Sequence, residues 1–148
     1  IPPLRYDVVY RVKEDFPDLE IILNGGVQTL DQAEEHLSKV DGVMIGREAY
    51  QNPYVLSDVD NRFYQGAGVK DRADIVEELC SYAAGKVREG VPVKSITRHV
   101  LGLFNGLPGA RAWRRSLSQN AFKPGSDEKV IQRAYEEFLE AGQSREVA

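Results

Sequence analysis

Two short apolar segments, each followed by glycine, constrain the fold of this chain more than any other feature. Residues 21–23 and 43–45 are too short for ordinary helices and rich in β-branched side chains, so both are predicted to be buried strands. Between them, Thr29 provides a helix cap and Leu30 begins an apolar pattern at helical spacing. The sequence therefore predicts a strand–helix–strand unit with parallel strands and a right-handed connection.

The residues that directly follow the two strands are suited to binding an anion. They are Asn24, Gly25 and Gly26 after the first strand, and Gly46 and Arg47 after the second. Glycine can take a positive φ and let a bound group approach backbone N–H groups, while arginine adds a positive fork suited to phosphate. In a (β/α)8 barrel the loops after the last two strands usually hold phosphate, so these residues are predicted to form that cradle. The alternative is a tight turn at the glycine pair, with the arginine as an ordinary surface residue.

The length of 148 residues is below the roughly 250 that a whole barrel requires. If the unit is the end of a barrel, we expect the chain to be a fragment that begins part-way through it. No apolar run approaches the roughly 20 residues of a membrane span, so no membrane partner is expected. One cysteine, Cys80, excludes an internal disulfide and fits the reducing cytoplasm. With two distant histidines besides, no metal site is expected.

Charge is distributed unevenly along the chain. Residues 90–126 contain six lysines and arginines and no aspartate or glutamate. Because the whole chain has 19 basic and 23 acidic side chains, the rest carries 13 basic and 23 acidic, a net charge of −10. This asymmetry predicts that residues 90–126 face a polyanion, with nucleic acid the first candidate. The alternative is a basic surface that only balances acidic neighbours.

Most of the remaining chain is predicted to be helical. Apolar spacing predicts helices over residues 5–16, 54–63, 71–87, 95–104, 110–120 and 127–139. The glycine-containing loop at residues 65–68 is the best domain boundary in the sequence. The predicted organisation is therefore α/β followed by all-α: residues 1–65 as the last two strands of a TIM barrel, and residues 66–148 as a helical bundle.

Basic residues of the predicted helical region share one side of a helix. Arg111, Arg114 and Arg115 are spaced i, i+3 and i+4, whereas Trp113 is rotated about 200° from the first of them and is expected in the core. We call these three arginines the arginine ridge, and a ridge of this kind suits a phosphate backbone. The list of candidate RNA contacts is completed by the i, i+4 pair Lys94 and Arg98. His99 could contact RNA or pack, and Cys80 is expected to be a core residue rather than a nucleophile.

Two longer motifs make the chain resemble a known family. Residues 96–104 read ITRHVLGLF and residues 108–115 read PGARAWRR, and both accompany the glycine motifs. Together these motifs closely resemble the tRNA-dihydrouridine synthases, in particular the bacterial A subfamily. The resemblance covers residues 2–122, and the glycine motifs alone are shared with many flavin barrels.

The resemblance implies an enzyme with an FMN-binding (β/α)8 barrel and a C-terminal helical domain. Such an enzyme reduces a D-loop uridine of tRNA to 5,6-dihydrouridine, and NADPH recharges the flavin. By motif match, the implied FMN contacts are Asn24, Gly25, Gly26, Gly46 and Arg47, and Arg111 and Arg114 are implied to hold tRNA. The catalytic cysteine and the flavin-ring contacts of the family match nothing in this chain, so no catalytic residue is assigned. The fragment alone is therefore expected to be inactive.

Two other functions remain open from the residues themselves. One is an RNA-binding helical module whose barrel remnant is only a scaffold, and the other is a different flavin or phosphosugar barrel enzyme. The arginine ridge argues against the second of these. Two parallel strands would also leave unpaired edges, so self-association of the chain is expected.

Overall fold

The computed structural model describes residues 3–66 and 68–146. The chain divides into two compact units between Ala49 and Tyr50. We call the earlier part the α/β unit and the later part the helical unit. This division precedes the predicted boundary at residues 65 and 66, because Tyr54 packs against the core of the helical unit. As a boundary between functional domains, residue 65 stays a prediction.

The α/β unit has the predicted order of elements. It contains helix α1 (Tyr6–Asp15), strand β1 (Ile22–Asn24), helix α2 (Leu30–Leu37) and strand β2 (Gly42–Met44). The strands pair in parallel, with Leu23 opposite Val43, which confirms the predicted parallel arrangement. Thr29 caps α2 as predicted, because its side chain accepts a hydrogen bond from the backbone N–H of Gln32 at 3.2 Å. Strand β1 begins one residue later, and strand β2 one residue earlier, than the sequence indicated.

Helix α1 forms as predicted, but its apolar stripe lies at the surface. The structure describes α1 in full, and none of its residues is buried. Val8 is 47% exposed, and Phe16, which follows the helix, is 57% exposed. The buried apolar residues of the unit lie on the strands, α2 and their loops, namely Leu23, Val27, Leu30, Ala33 and Val40. The amphipathic spacing thus predicted the helix correctly, but it could not predict whether another element would cover the apolar stripe.

One carboxylate joins the starts of both strands to α1. Asp41 forms an ion pair with Lys13 at 2.8 Å and accepts a hydrogen bond from the backbone N–H of Ile21, also at 2.8 Å. The Lys13 ammonium also donates to the carbonyl oxygens of Pro17 and Leu19. These bonds set where the chain leaves α1 and enters β1.

The helical elements after β2 differ from the sequence prediction at three places, one of which is the last helix, predicted over residues 127–139 but observed to end at Glu146. They are α3 (Arg47–Gln51), a 3-10 helix (Pro53–Asp58), α4 (Val59–Phe63), α5 (Arg72–Arg88), α6 (Lys94–Thr97), α7 (Ala110–Asn120) and α8 (Lys129–Glu146). The helix predicted over residues 54–63 divides into the 3-10 helix and α4. The helix predicted over residues 95–104 ends at Thr97, because Gly102 packs directly against the carbonyl group of Gln51 and the chain must leave the helical path. Helix α7 has the predicted bounds.

The core of the helical unit is built around aromatic side chains. Phe104 lies with its ring centroid 4.9 Å from that of Trp113 and 4.0 Å from that of Phe138. The Trp113 indole N–H donates to the Val100 carbonyl at 3.0 Å, which satisfies its one polar group. Gly109, at φ +85°, begins α7 against α8, where a Cβ would lie 2.3 Å from the Phe138 carbonyl oxygen. Glycine at this position therefore lets the start of α7 pack closely against α8.

A second group of contacts holds the loop between α6 and α7. The Arg72 guanidinium lies 3.5 Å from the centroid of the Tyr54 ring and donates to the Leu103 carbonyl at 2.9 Å. The Tyr54 hydroxyl in turn donates to the Lys70 carbonyl at 3.2 Å. These bonds connect the 3-10 helix, the start of α5 and the loop, so residues 98–109 have a defined path without being helical.

Candidate cofactor and nucleic-acid sites

The predicted phosphate cradle lies at one edge of the parallel pair. Asn24 ends β1 and is paired with Met44, which ends β2. Because the strands are parallel and in this register, the two glycine segments leave the sheet at the same edge. Gly26, Gly46 and Arg47 are all exposed there. The structure therefore brings the predicted cradle residues to a common edge, which we call the glycine edge.

The backbone at the glycine edge adopts conformations that favour glycine. Gly25 and Gly26 have φ values of +133° and +72°. A Cβ at Gly26 would lie 2.6 Å from Leu4 Cδ1 and 2.8 Å from the Tyr6 hydroxyl oxygen, so the packing of this chain also excludes a side chain there. The Tyr6 hydroxyl donates to the Gly25 carbonyl at 2.6 Å. Tyr6 thus supports the turn, and nothing in the sequence pattern marked it for this role.

The glycine edge has the chemistry that a phosphate group requires. Gly26 and Gly46 have exposed backbone, and the exposed Arg47 supplies a charged, bidentate donor. A phosphate-bearing cofactor therefore fits these residues. In the part of the chain that the structure describes, no group of three or more histidine, cysteine or acidic side chains could hold a metal ion.

The arginine ridge projects from α7 as the helical spacing predicted. Arg111, Arg114 and Arg115 are exposed, whereas Trp113 between them is 0% exposed. Arg115 lies 3.8 Å from a carboxylate oxygen of Glu137 on α8. The other two arginines therefore carry most of the uncompensated charge of the ridge. Beside them a surface cavity of about 370 Å³ is lined by residues of α7, by Ala141 and by the preceding loop at residues 105–107.

The other predicted RNA contacts are also at the surface of the helical unit. Lys94 and Arg98 are exposed at the two ends of α6. His99 is exposed as well, and its Nδ1 lies 3.2 Å from the Tyr50 hydroxyl oxygen. The Lys94 ammonium lies 5.6 Å from the centroid of the Phe122 ring. Phe122 was not singled out by sequence pattern, although it stands in the acid-free segment and follows the last turn of α7.

Cys80 packs against the core of the helical unit, as the sequence predicted. Burial raises the pKa of its thiol, and the nearby carboxylates of Glu128 and Glu77 raise that pKa further. A thiol in these surroundings is mostly protonated at neutral pH and a weak nucleophile. The geometry therefore assigns Cys80 a packing role.

An α/β unit with an exposed glycine edge is followed in this chain by a helical unit with a basic surface. Among the residues that the structure describes, no helix has the length and apolar character needed to cross a membrane. The dihydrouridine synthase (Dus) family model matches residues 1–140, nearly the whole of this sequence. The chain belongs to the dihydrouridine synthase family.

Curated relatives agree with the family match. The chain is 52% identical over 135 residues to a tRNA-dihydrouridine(20/20a) synthase of Vibrio parahaemolyticus, and 50% identical over 135 residues to one of Yersinia pestis. A third, from Shewanella oneidensis, is 50% identical over 137 residues. These alignments cover 90–92% of this chain but only 39–41% of the relatives. The chain therefore spans about two fifths of the length of the curated relatives it matches.

Proposed function

We propose that this chain is the C-terminal part of an FMN-dependent tRNA-dihydrouridine synthase. The enzyme reduces a D-loop uridine of tRNA to 5,6-dihydrouridine and uses NADPH as the reductant. The observation that carries the proposal is the family match, which extends through both units over residues 1–140. Curated relatives named for this reaction are about half identical over 90% of the chain. Because tRNA is the substrate, the enzyme acts in the cytoplasm.

In this proposal residues 1–65 are the end of a (β/α)8 barrel and residues 66–148 are the RNA-binding domain. The exposed apolar surface of the α/β unit supports the first assignment. Ile22 and Met44 on the strands are 58% and 47% exposed, and much of the apolar stripe of α1 is exposed as well. Further elements of a barrel would cover such a surface. In their absence the chain self-associates through the unpaired strand edges.

The glycine edge is proposed to hold the FMN phosphate. Gly25 and Gly26 have the positive φ that permits close approach, and Arg47 is exposed at the same edge. Asn24 ends β1, and Gly46 lies two residues beyond the end of β2. Bound FMN would supply the hydride that reduces the uracil double bond, whereas the residues of this chain would bind and orient its phosphate.

The helical unit is proposed to bind tRNA through the arginine ridge, with Lys94 and Arg98 as further contacts. All five side chains are exposed, and they lie in a segment without carboxylates. Phosphate contacts of this kind position an RNA without reading its sequence. Selection of the uridine therefore depends on the shape of the tRNA and on the active site.

We also propose that this chain does not reduce uridine by itself. A synthase of this family protonates the uracil ring with a cysteine, and the one cysteine here, Cys80, packs in the core of the helical unit. The chain then binds RNA and the cofactor phosphate without carrying the acid.

The second candidate function is an RNA-binding module with a non-catalytic barrel remnant. One observation favours it: the helical unit has a core of its own.

Binding of tRNA over a range of salt concentrations tests the proposed RNA surface. An Arg111→Ala, Arg114→Ala variant is expected to bind more weakly and to reduce the salt slope by about one for each phosphate-binding arginine that is removed. The matched control is Arg11→Ala, Arg88→Ala, which removes two exposed arginines outside the acid-free segment. Equally weakened binding by the two variants would show only a general charge effect and would contradict the proposed surface.

A further inference from the structure

The aromatic side chain that follows α7 lies at the surface of the helical unit. Phe122 is 64% exposed, and it lies two residues beyond Asn120, where α7 ends. Large aromatic side chains of the helical core are buried in this chain, as Trp113 and Phe104 show. The Phe122 ring therefore contributes little to the core, and its accessible face is available to a ligand.

Two lysines adjoin this exposed ring, one in space and one in sequence. The Lys94 ammonium lies 5.6 Å from the centroid of the ring, within cation–π distance. The next residue, Lys123, donates to the Asn120 side-chain oxygen at 2.7 Å, which holds its ammonium beside the end of α7. Phe122, Lys94 and Lys123 all belong to the segment without carboxylates at residues 90–126.

A cavity lined in part by the following residue, Lys123, adds further cations. It has a volume of about 280 Å³ and lies around the turn that joins α7 to α8. Its charged lining residues are Lys123, Lys129, Arg133 and one carboxylate, Asp127. The cavity thus has an excess of two positive charges and is large enough for a phosphate group with its hydration water.

We propose that Phe122 is a stacking platform for an unpaired base of the bound RNA, with Lys94 and Lys123 neutralising the adjoining phosphates. This inference rests on the proposed RNA binding and extends it to a contact that the family match does not assign. An exposed aromatic face beside cations is the usual means of holding single-stranded bases, because every base presents a π face. A protein partner would be expected to bring carboxylates to such a surface, whereas an RNA brings both base and phosphate.

The ring and the lysine have different expected signatures in binding experiments. Stacking releases no counterions, so Phe122→Ala is expected to weaken tRNA binding by about 5- to 100-fold without changing the salt slope. Phe122→Trp retains a π face and is expected to bind at least as well as the unsubstituted chain. Lys94→Ala is expected to reduce the salt slope by about one.

The experiment titrates an unmodified tRNA transcript with the 148-residue chain and its variants at several salt concentrations. The matched control is Tyr82→Ala, which removes an aromatic side chain that is 57% exposed on α5, outside the acid-free segment. Phe122→Leu separates stacking from simple apolar contact, because leucine keeps bulk and has no π face. Circular dichroism of each variant verifies that the helices are retained.

Each outcome supports or overturns the inference. Weak binding by the alanine and leucine variants, with normal binding by the tryptophan variant and the Tyr82 control, supports it. Binding by Phe122→Ala or Phe122→Leu equal to that of the unsubstituted chain overturns it. If the Phe122 variants bind tRNA normally while the Arg111→Ala, Arg114→Ala variant binds it weakly, the arginine ridge binds RNA and Phe122 is not a stacking platform. If the unsubstituted chain binds no tRNA, both proposals fail for this chain.

Discussion

Substitution of Gly102 by alanine tests the close approach that ends α6 early. A Cβ at this position would lie 1.9 Å from the carbonyl oxygen of Gln51 and 2.7 Å from its carbonyl carbon. Both atoms belong to the backbone, so no side-chain rotation can relieve the clash. Gly102 does not have a positive φ, and the expected effect is therefore steric rather than conformational.

The size of the effect follows from two opposing terms. Overpacking in a well-packed region costs about 1–3 kcal/mol, and a clash with a backbone carbonyl is expected at the upper end of that range. Replacing glycine by alanine also reduces the entropy of the unfolded chain, which stabilises the protein by about 0.4–1 kcal/mol. The net expectation is that Gly102→Ala lowers the free energy of unfolding of the helical unit by about 2 kcal/mol.

Urea unfolding followed by tryptophan fluorescence measures this quantity directly. The chain has a single tryptophan, Trp113, which lies in the core of the helical unit and so reports on that unit alone. The control is Gly85→Ala within α5, where a Cβ would meet nothing within 4 Å. That substitution is expected to stabilise the unit by about 0.5–1 kcal/mol because alanine has the higher helix propensity. An unchanged midpoint for Gly102→Ala would refute the observed path of the loop.

Two further predictions concern the α/β unit. Arg47→Ala is expected to weaken FMN binding about 10-fold or more in equilibrium dialysis, since a charged hydrogen bond contributes about 1.5–3 kcal/mol. The control variant Arg11→Ala should bind FMN as the unsubstituted chain does. Equal affinities for all three proteins would argue against the cradle. The hydrogen bond from Lys13 and then that from the Ile21 N–H hold the pKa of Asp41 below its ordinary value. Its contribution to stability is therefore complete above about pH 4 and is lost as the pH falls through the lowered pKa. Acid unfolding followed by circular dichroism should show a shallower dependence on pH below about pH 4 for Asp41→Asn, and an unaltered profile would contradict this role.

The sequence alone predicted the family, the parallel strand pair and several helix bounds, because these features depend on local patterns. Thr29 and Asp71 have side chains suited to capping, and each accepts a backbone hydrogen bond at the start of its helix. The alternation of arginines with Trp113 predicted which side of α7 faces the core. Short-range geometry determines these features, so a single sequence carries enough information for them.

Tertiary structure alone decided which apolar residues are covered and where irregular segments begin. Tyr82 on α5 is 57% exposed and Val8 on α1 is 47% exposed, because burial depends on distant elements being present to cover them. The early end of α6 depends on the packing of Gly102 against Gln51, two residues far apart in the sequence. The pairing of Lys94 with Phe122 likewise joins residues separated by almost the whole acid-free segment. Sequence periodicity thus determined the local elements of this protein, whereas contacts between remote residues determined its surfaces, because burial is a property of the packed chain rather than of any single segment.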